Sequence, residues 1–470
     1  MDVTDQSGSG SSAPGSEHGV GEIAFDPGNP KAALGQLPQL AAVFALYGAD
    51  AHAEPYIGRT PNLKARLERL LQPSAKHPRR LQLAGRVRRI IWHLSGSEFE
   101  SLLTQFSLLE KIYGAKALER MHLRAPAFIR YLGSNAYPRI VVTHRPSLRE
   151  ADWAYGPFQS RTAAERFADE ALKLFLLRRC TDDLNPNPSH PGCVYSEMKM
   201  CLAPCYQGCT DERYTEEAVA VEGFLATRGD SRLAILKTQR DEASANLEFE
   251  AAATLHALVQ KVEGVRALAS ELVRPLSRLR AVILQASANL DEVSVFLFDN
   301  GCFRGPAGFS TLGMRIQNEQ SGSSSLFPQP MAIEAVPEEQ GSEIREQGSG
   351  IRDQGSGIWD LENANCQSPL EHGAGHARKI PRGMLEARLE TVLAALAESG
   401  QPSATLRQGH LALLKRWYYR PEARRSGEIF FADDEGRWPT KAILRGIGRV
   451  AAKGLMPSLA SRPEQAQNSQ

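Results

Sequence analysis

The sequence predicts an α+β multidomain chain. It would carry an N-terminal α/β domain (a small antiparallel sheet flanked by helices), a cysteine-rich loop, a helical hairpin and a small C-terminal α+β region. Three observations lead there. Short apolar runs broken by glycine-containing turns alternate with helical periodicity before residue 115. Five of the seven cysteines fall between Cys180 and Cys209. Helical periodicity from Leu233 to Val265 is interrupted once, near Asn246-Leu247-Glu248.

Taken in order, residues 1–35 are rich in Gly, Ser and Pro and are expected to form a disordered tail. A first domain over 36–115 opens with an apolar strand ending at Leu46, a turn at 48–53, a second strand around Tyr56 and a basic helix from Asn62. "GRVRRIIWHLSG" reads as a third strand. "SEFESLLTQFSLLEKIYG" reads as an amphipathic helix with Leu102, Leu103, Phe106 and Leu109 as its stripe. A connecting region over 116–210 holds the strand-like "AYPRIVVTHRP" and the cysteines, and helices fill 211–268. Strand-rich sequence spans 269–317 with a turn at Asp299-Asn300-Gly301. The low-complexity stretch 318–377, with its copies of a "QGSGIRD"-like unit, reads as a linker. One apolar residue per seven beside Gly-Ser builds no coiled-coil seam. A small domain over 378–455, with "GEIFFADDEGRWP" as a hairpin, precedes a tail over 456–470.

At 470 residues and 42% hydrophobic composition, the chain has material for two or three cores. No run of about 18 apolar residues occurs, which predicts no membrane span. The N-terminus lacks a basic, then apolar, leader, so a cytoplasmic protein is expected. The net charge of +1 is uninformative, but its distribution is not. From Tyr56 to Trp92 there are ten Lys/Arg and one acid, Glu68. Lys64, Arg79, Arg80, Arg88 and Arg89 are candidates for coating a DNA backbone; a solvated face is the plain alternative. "KRWYYRPEARR" (415–425) interleaves cations with aromatics, which suits a structural aromatic cluster better than a nucleic-acid clamp.

Cys180, Cys193, Cys201 and Cys205 follow the spacing C-x12-C-x7-C-x3-C, with Cys209 after three more residues. In a reduced compartment such clustering points to a metal site, and spacing alone leaves zinc, an iron–sulfur cluster and plain buried thiols open.

"AVFALYGADAHAEPYIGRTPNLKARL" resembles the GIY-YIG nuclease module in the version carried by the UvrC excinuclease family. "YGPFQSRTAAERFADEALKLFLLRRC", "CVYSEMKMCLAPC" and "LKTQRDEASANLEFEAAATLHALV" resemble, in that family's own order, its "YFGPYPS" element, its cysteine loop and its UVR motif (233–267). The resemblance covers roughly 37–268. The family's later RNase H-like nuclease domain and helix-hairpin-helix elements are not recognisable in the C-terminal half.

The resemblance implies a DNA-repair protein of nucleotide excision repair and assigns roles by position. Tyr56 is the YIG tyrosine that takes part in moving a proton from the attacking water. Arg66 offsets phosphoryl charge, Arg59 stands for the usual lysine, and Phe44 stands where a first-strand tyrosine is usual. The family's metal-binding glutamate falls on Gln105, with Glu98, Glu100, Leu102, Leu103 and Leu108 in register around it. A neutral amide is a poor ligand for a hard cation, so Mg²⁺ or Mn²⁺ is expected only if the site is active. The four cysteines would hold a [4Fe–4S] cluster. Leu247, Phe249, Glu250, Ala252 and Leu255 would dock a UvrB-like helicase, although such a hairpin could also be an internal core pair. Three functions follow: a DNA-binding, UvrB-docking repair protein with a degenerate site; an active metal-dependent endonuclease making one incision; or a UvrB-sequestering regulator.

Overall fold

The computed structural model describes residues 19–50, 53–71, 83–147, 149, 151–181, 184–312, 314, 382–397 and 402–455. It is α+β, built on three four-stranded sheets whose strand pairs are all antiparallel. The expected linker, its repeats and the C-terminal tail lie outside the described residues. No helix among the described residues is long and apolar enough to cross a membrane.

The first sheet contains β1 (Val20–Ala24), β2 (Ala42–Gly48), β3 (Tyr56–Thr60) and β4 (Val87–Leu94), in the order β1-β4-β2-β3. The chain between them forms α1 (Pro30–Gly35) and α2 (Leu63–Leu71). The expectation of a disordered tail through residue 35 is therefore corrected. β1 pairs along β4, Val20 opposite His93 through Ala24 opposite Arg89, and so covers an edge that would otherwise expose unpaired backbone groups. Leu34 of α1 joins Leu63, Leu67 and Leu71 of α2 beneath Phe44 and Leu46. Asn62 starts α2, its side-chain oxygen accepting from the Ala65 N–H at 2.9 Å.

Next come α3 (Glu98–Tyr113), α4 (Lys116–Arg120), β5 (Ala127–Leu132), β6 (Arg139–Thr143), β7 (Ala154–Phe158) and α5 (Arg161–Leu172). A short α6 (Val194–Glu197) lies in the cysteine loop, and α7 (Asp211–Ala226), α8 (Asp230–Ala245) and α9 (Phe249–Ala267) follow. The second sheet has the order β6-β5-β7-β8, where β8 is only Arg274–Pro275. Tyr155, Phe158, Phe167, Phe224 and Val262 share its core, which ties α5, α7 and α9 to one face.

The third sheet joins β9 (Ala281–Ala286), β10 (Glu292–Asp299), β11 (Cys302–Ser310) and β12 (Glu428–Phe431) in the order β11-β10-β9-β12. Helices α10 (Arg382–Ala397), α11 (Ala404–Tyr418) and α12 (Thr440–Leu455) complete it. Two expectations are corrected by this sheet. Residues 378–455 are not a domain apart, because β12 extends the sheet of the strand-rich segment, Glu428 opposite Leu284 through Phe431 opposite Ala281. "GEIFFADDEGRWP" forms that single strand and a turn rather than a hairpin. The physical cause is the open edge of β9, filled by a strand distant in sequence. The apolar side of α11 follows: Leu411, Leu414 and Trp417 pack with Phe99 and Phe106 of α3 and with Phe296 and Phe303. Gly409 permits this approach, since a Cβ there would stand 2.0 Å from the Phe106 ring. Thus α3 is shared between the first sheet and the third.

Candidate active site

In β3 the alternation of side chains puts Tyr56 and Gly58 on the face of Phe44, and Ile57 and Arg59 on the face of α3. Tyr56 lies opposite Leu46 and Gly58 opposite Phe44. The Phe44 and Tyr56 rings are 6.1 Å apart, centroid to centroid. Gly58 has a steric reason: a Cβ there would meet the Phe44 ring at 2.7 Å. Phe44 is fully buried, Tyr56 is exposed, and Arg66 is half-buried on α2.

Helix α3 runs along β3 in the opposite direction. At its C-terminal end the Tyr113 hydroxyl donates to the Pro55 carbonyl at 3.0 Å. At its N-terminal end Glu98 lies 3.5 Å from Arg59. Half-buried Gln105 sits between these anchors. Glu98 is the carboxylate nearest to Gln105's helical face, seven positions or about 10 Å away along the axis. It is already engaged: Arg420, just past α11, donates to both its oxygens at 2.8 and 3.1 Å. Hydrogen bonding from Arg420, reinforced by Arg59, holds the Glu98 carboxyl below the usual range. Glu100 points elsewhere, accepting from the Gly96 N–H at 2.9 Å and from Ser294. Glu110 accepts from Ser403 at 2.9 Å. Among the described residues no group of three His, Cys, Asp or Glu side chains is arranged to hold a metal ion. At the register position stands the neutral Gln105 amide, and Glu98, Glu100 and Glu110 of α3 are engaged elsewhere, so the residues at this site do not fit a hard divalent cation.

The predicted basic surface is divided. Arg79 and Arg80 lie outside the described residues. Arg88 and Arg89 are neighbours on β4 and so project to opposite faces. Arg88 donates to the Gly85 and Val87 carbonyls, and Arg89 pairs with Glu22 at 3.2 Å while stacking on Tyr47. Lys64 donates to the Gly35 carbonyl at 3.4 Å. Arg88 and Arg89 therefore do not share one basic face.

The cysteines do come together. Cys180, Cys193, Cys201 and Cys205 line one cavity with Arg178, Arg179, Leu184, Tyr195 and Pro204. Cys209 is not among its lining residues. Arg178 donates to Cys180 Sγ at 3.6 Å and the Ala203 N–H to Cys201 Sγ at 3.3 Å. Burial, with the other three thiols adding to it, pushes the Cys201 thiol up to about 11. Arg179 has buried Nε and Nη2 atoms without a hydrogen-bond partner. Four soft donors beside two guanidiniums fit an anionic metal–thiolate group. The four sulfurs share the wall of one cavity without standing at ligating positions.

The hairpin of α8 and α9 turns at Asn246-Leu247-Glu248, as its periodicity predicts. Val259, Val262 and Val265 bury its base, and Leu255 packs partly against the same core. At the tip Leu247 is 71% and Phe249 67% exposed, with Glu250 exposed and Ala252 half-buried. Burying only the base leaves two large apolar side chains in water, which an internal core pair does not explain.

Residues 128–224 match the family model for the UvrC/Cho excinuclease middle domain. Over this stretch the chain is similar to that domain. It is 29% identical over 211 residues to the UvrABC system protein C of Alcanivorax borkumensis, covering 45% of this chain and 34% of that protein. It is 28% identical over 297 residues to that of Ruminiclostridium cellulolyticum, covering 62% and 47%, and 27% identical over 308 residues to that of Ectopseudomonas mendocina, covering 64% and 45%. The chain thus spans a third to a half of the length of these curated relatives. No solved structure matches it. The matched residues carry β5, β6 and β7 of the second sheet, the cysteine loop and most of α7. Sequence reasoning missed Arg420 as the partner of Glu98; the two are 322 positions apart and no local pattern links them.

Proposed function

We propose that this chain is a cytoplasmic DNA-repair protein that binds DNA and docks a UvrB-like helicase, with a GIY-YIG site that does not cleave. The observation that carries the silent site is the Arg59–Glu98–Arg420 cluster. It ties up Glu98, the α3 carboxylate nearest to Gln105's face, and compensates the cation at the usual lysine position. Tyr56 and Arg66 keep a hydroxyl and a guanidinium for binding backbone phosphate, without a partner that could anchor a divalent ion. These residues bind and do not hydrolyse.

Docking rests on the hairpin tip. Phe249→Ala is expected to weaken capture of the UvrB-like helicase by about 2 kcal/mol or more, roughly thirtyfold, as an exposed aromatic anchor in an interface does. Titration calorimetry with the purified helicase measures this; unchanged affinity in both Phe249→Ala and Leu247→Ala removes the docking role.

Cys180, Cys193, Cys201 and Cys205 are the proposed ligands of a [4Fe–4S] cluster, with Arg178 and Arg179 balancing its charge. Such a cluster supplies a redox-active cross-link between loop segments. Protein purified without oxygen is expected to be brown, with a broad charge-transfer band lost in Cys201→Ala. Colourless protein with stoichiometric zinc contradicts the assignment.

A further inference from the structure

A cavity of about 320 Å³ lies at the base of the hairpin, away from both sites above. Tyr155 of β7, Arg228 in the turn between α7 and α8, and Glu263, Arg266 and Ala267 of α9 line it, with Ala269. Arg228 adopts a left-handed backbone conformation (φ 54°), unusual for a residue that is neither glycine nor asparagine. Its Nε is buried without a hydrogen-bond partner, and its guanidinium shares the cavity with the Tyr155 hydroxyl.

The acids around the cavity are already engaged. Asp230 binds Arg266 at 2.8 Å, and Glu263 lies 3.8 Å from Lys237. Arg274 donates to the Glu271 and Ala432 carbonyls, and its charge also faces Glu271 and Asp434. Of the two arginines lining the cavity, Arg228 is the one without an ion pair among the described residues, and it stands close enough to Arg274 to repel it. Burial pushes the Tyr155 hydroxyl up to about 12, so it remains a neutral donor at working pH. A strained, half-satisfied arginine beside a second arginine and a buried hydroxyl is an arrangement that an anion relieves. Donors approach from three separate elements, which suits a tetrahedral anion better than a planar carboxylate.

We propose that this cavity is a phosphate-binding site in which Arg228 supplies the charge, Arg266 a guanidinium shared with Asp230, and the Tyr155 hydroxyl a neutral donor. The phosphate belongs either to a nucleic-acid backbone or to a small free phosphate compound. The site stands independently of the DNA-repair reading, because inorganic phosphate probes it directly.

The full chain is titrated with inorganic phosphate, and with acetate at matched ionic strength, by calorimetry. Wild type is expected to bind phosphate and not acetate. Arg228→Gln should weaken phosphate binding roughly tenfold or more, and Tyr155→Phe by about fivefold. Arg382→Gln, on a surface ion pair with Glu386 within α10, should bind as wild type does. Circular dichroism of each variant confirms folding, and Tyr155→Phe, which keeps the buried ring, covers the case in which Arg228→Gln does not fold. A single-stranded oligonucleotide then separates the sources. Competition with phosphate and weakening by Arg228→Gln identify a backbone phosphate; intact oligonucleotide binding with lost phosphate binding identifies a free compound. No phosphate binding by wild type, equal binding of acetate, or unchanged binding in folded Arg228→Gln and Tyr155→Phe overturns the proposal.

Discussion

Glutamate in place of Gln105 is expected to give this chain metal-dependent nicking activity. The substitution returns an anionic oxygen to α3 between its two anchors on β3, where Tyr113 meets Pro55 and Glu98 meets Arg59. Adding Phe44→Tyr is expected to raise the rate further, since it restores a hydroxyl next to Tyr56 on the same face of the sheet. The second change carries a cost, because Phe44 is fully buried and a hydroxyl there needs a partner. Each restored transition-state contact contributes about 2.7–4 kcal/mol, or roughly two to three orders of magnitude in rate. Nicking of supercoiled plasmid in Mg²⁺ or Mn²⁺ measures the gain, and Tyr56→Phe in the repaired background should remove it. A double variant that binds metal yet never nicks places the defect elsewhere in the site.

Replacing Glu100 by glutamine is expected to stabilise the protein at alkaline pH and leave it unchanged in acid. Glu100 is 7% exposed, and burial pushes its carboxyl up to about 7. The sign follows from linkage: the folded state favours the protonated form. Stability is therefore fully present below the unfolded value of 4.5 and is lost as pH rises through about 7. The difference of about 2.5 units corresponds to roughly 3 kcal/mol above pH 8. Glutamine keeps an acceptor for the Gly96 N–H and a group for Ser294 without a charge to desolvate. Urea denaturation at about pH 5 and about pH 8.5 tests it. Equal midpoints for both proteins at the higher pH would show that Glu100 titrates normally.

Local pattern carried much of the architecture. β2, β3 and β4 were legible because glycine-containing turns bracket strand-length apolar runs. The hairpin was legible because one break interrupts a helical period. Non-local choices were not. β1 follows a Gly/Ser-rich segment, and only the open edge of β4 makes "VGEIA" a strand. β12 pairs with β9 across a long stretch of sequence, so it read as part of a separate domain. Within the candidate site, the register of the family resemblance pointed to Gln105, and clustering pointed to the four cysteines that share a cavity. Pairing of Glu98 with Arg420 depends on where α11 packs, and nothing near either residue signals it. The basic stretch misled in the opposite sense. Counting charges ignored the strand alternation that sends Arg88 and Arg89 to opposite faces.

The most direct measurement is nicking by the unmodified protein. Supercoiled and lesion-containing duplexes are incubated with the full chain across a range of Mg²⁺ and Mn²⁺ concentrations, with and without the UvrB-like helicase. The expected result is DNA binding without nicked product under any condition, while Gln105→Glu with Phe44→Tyr nicks under the same conditions. Robust nicking by the unmodified chain, abolished by Tyr56→Phe, would contradict the silent-site assignment and make the protein an active endonuclease.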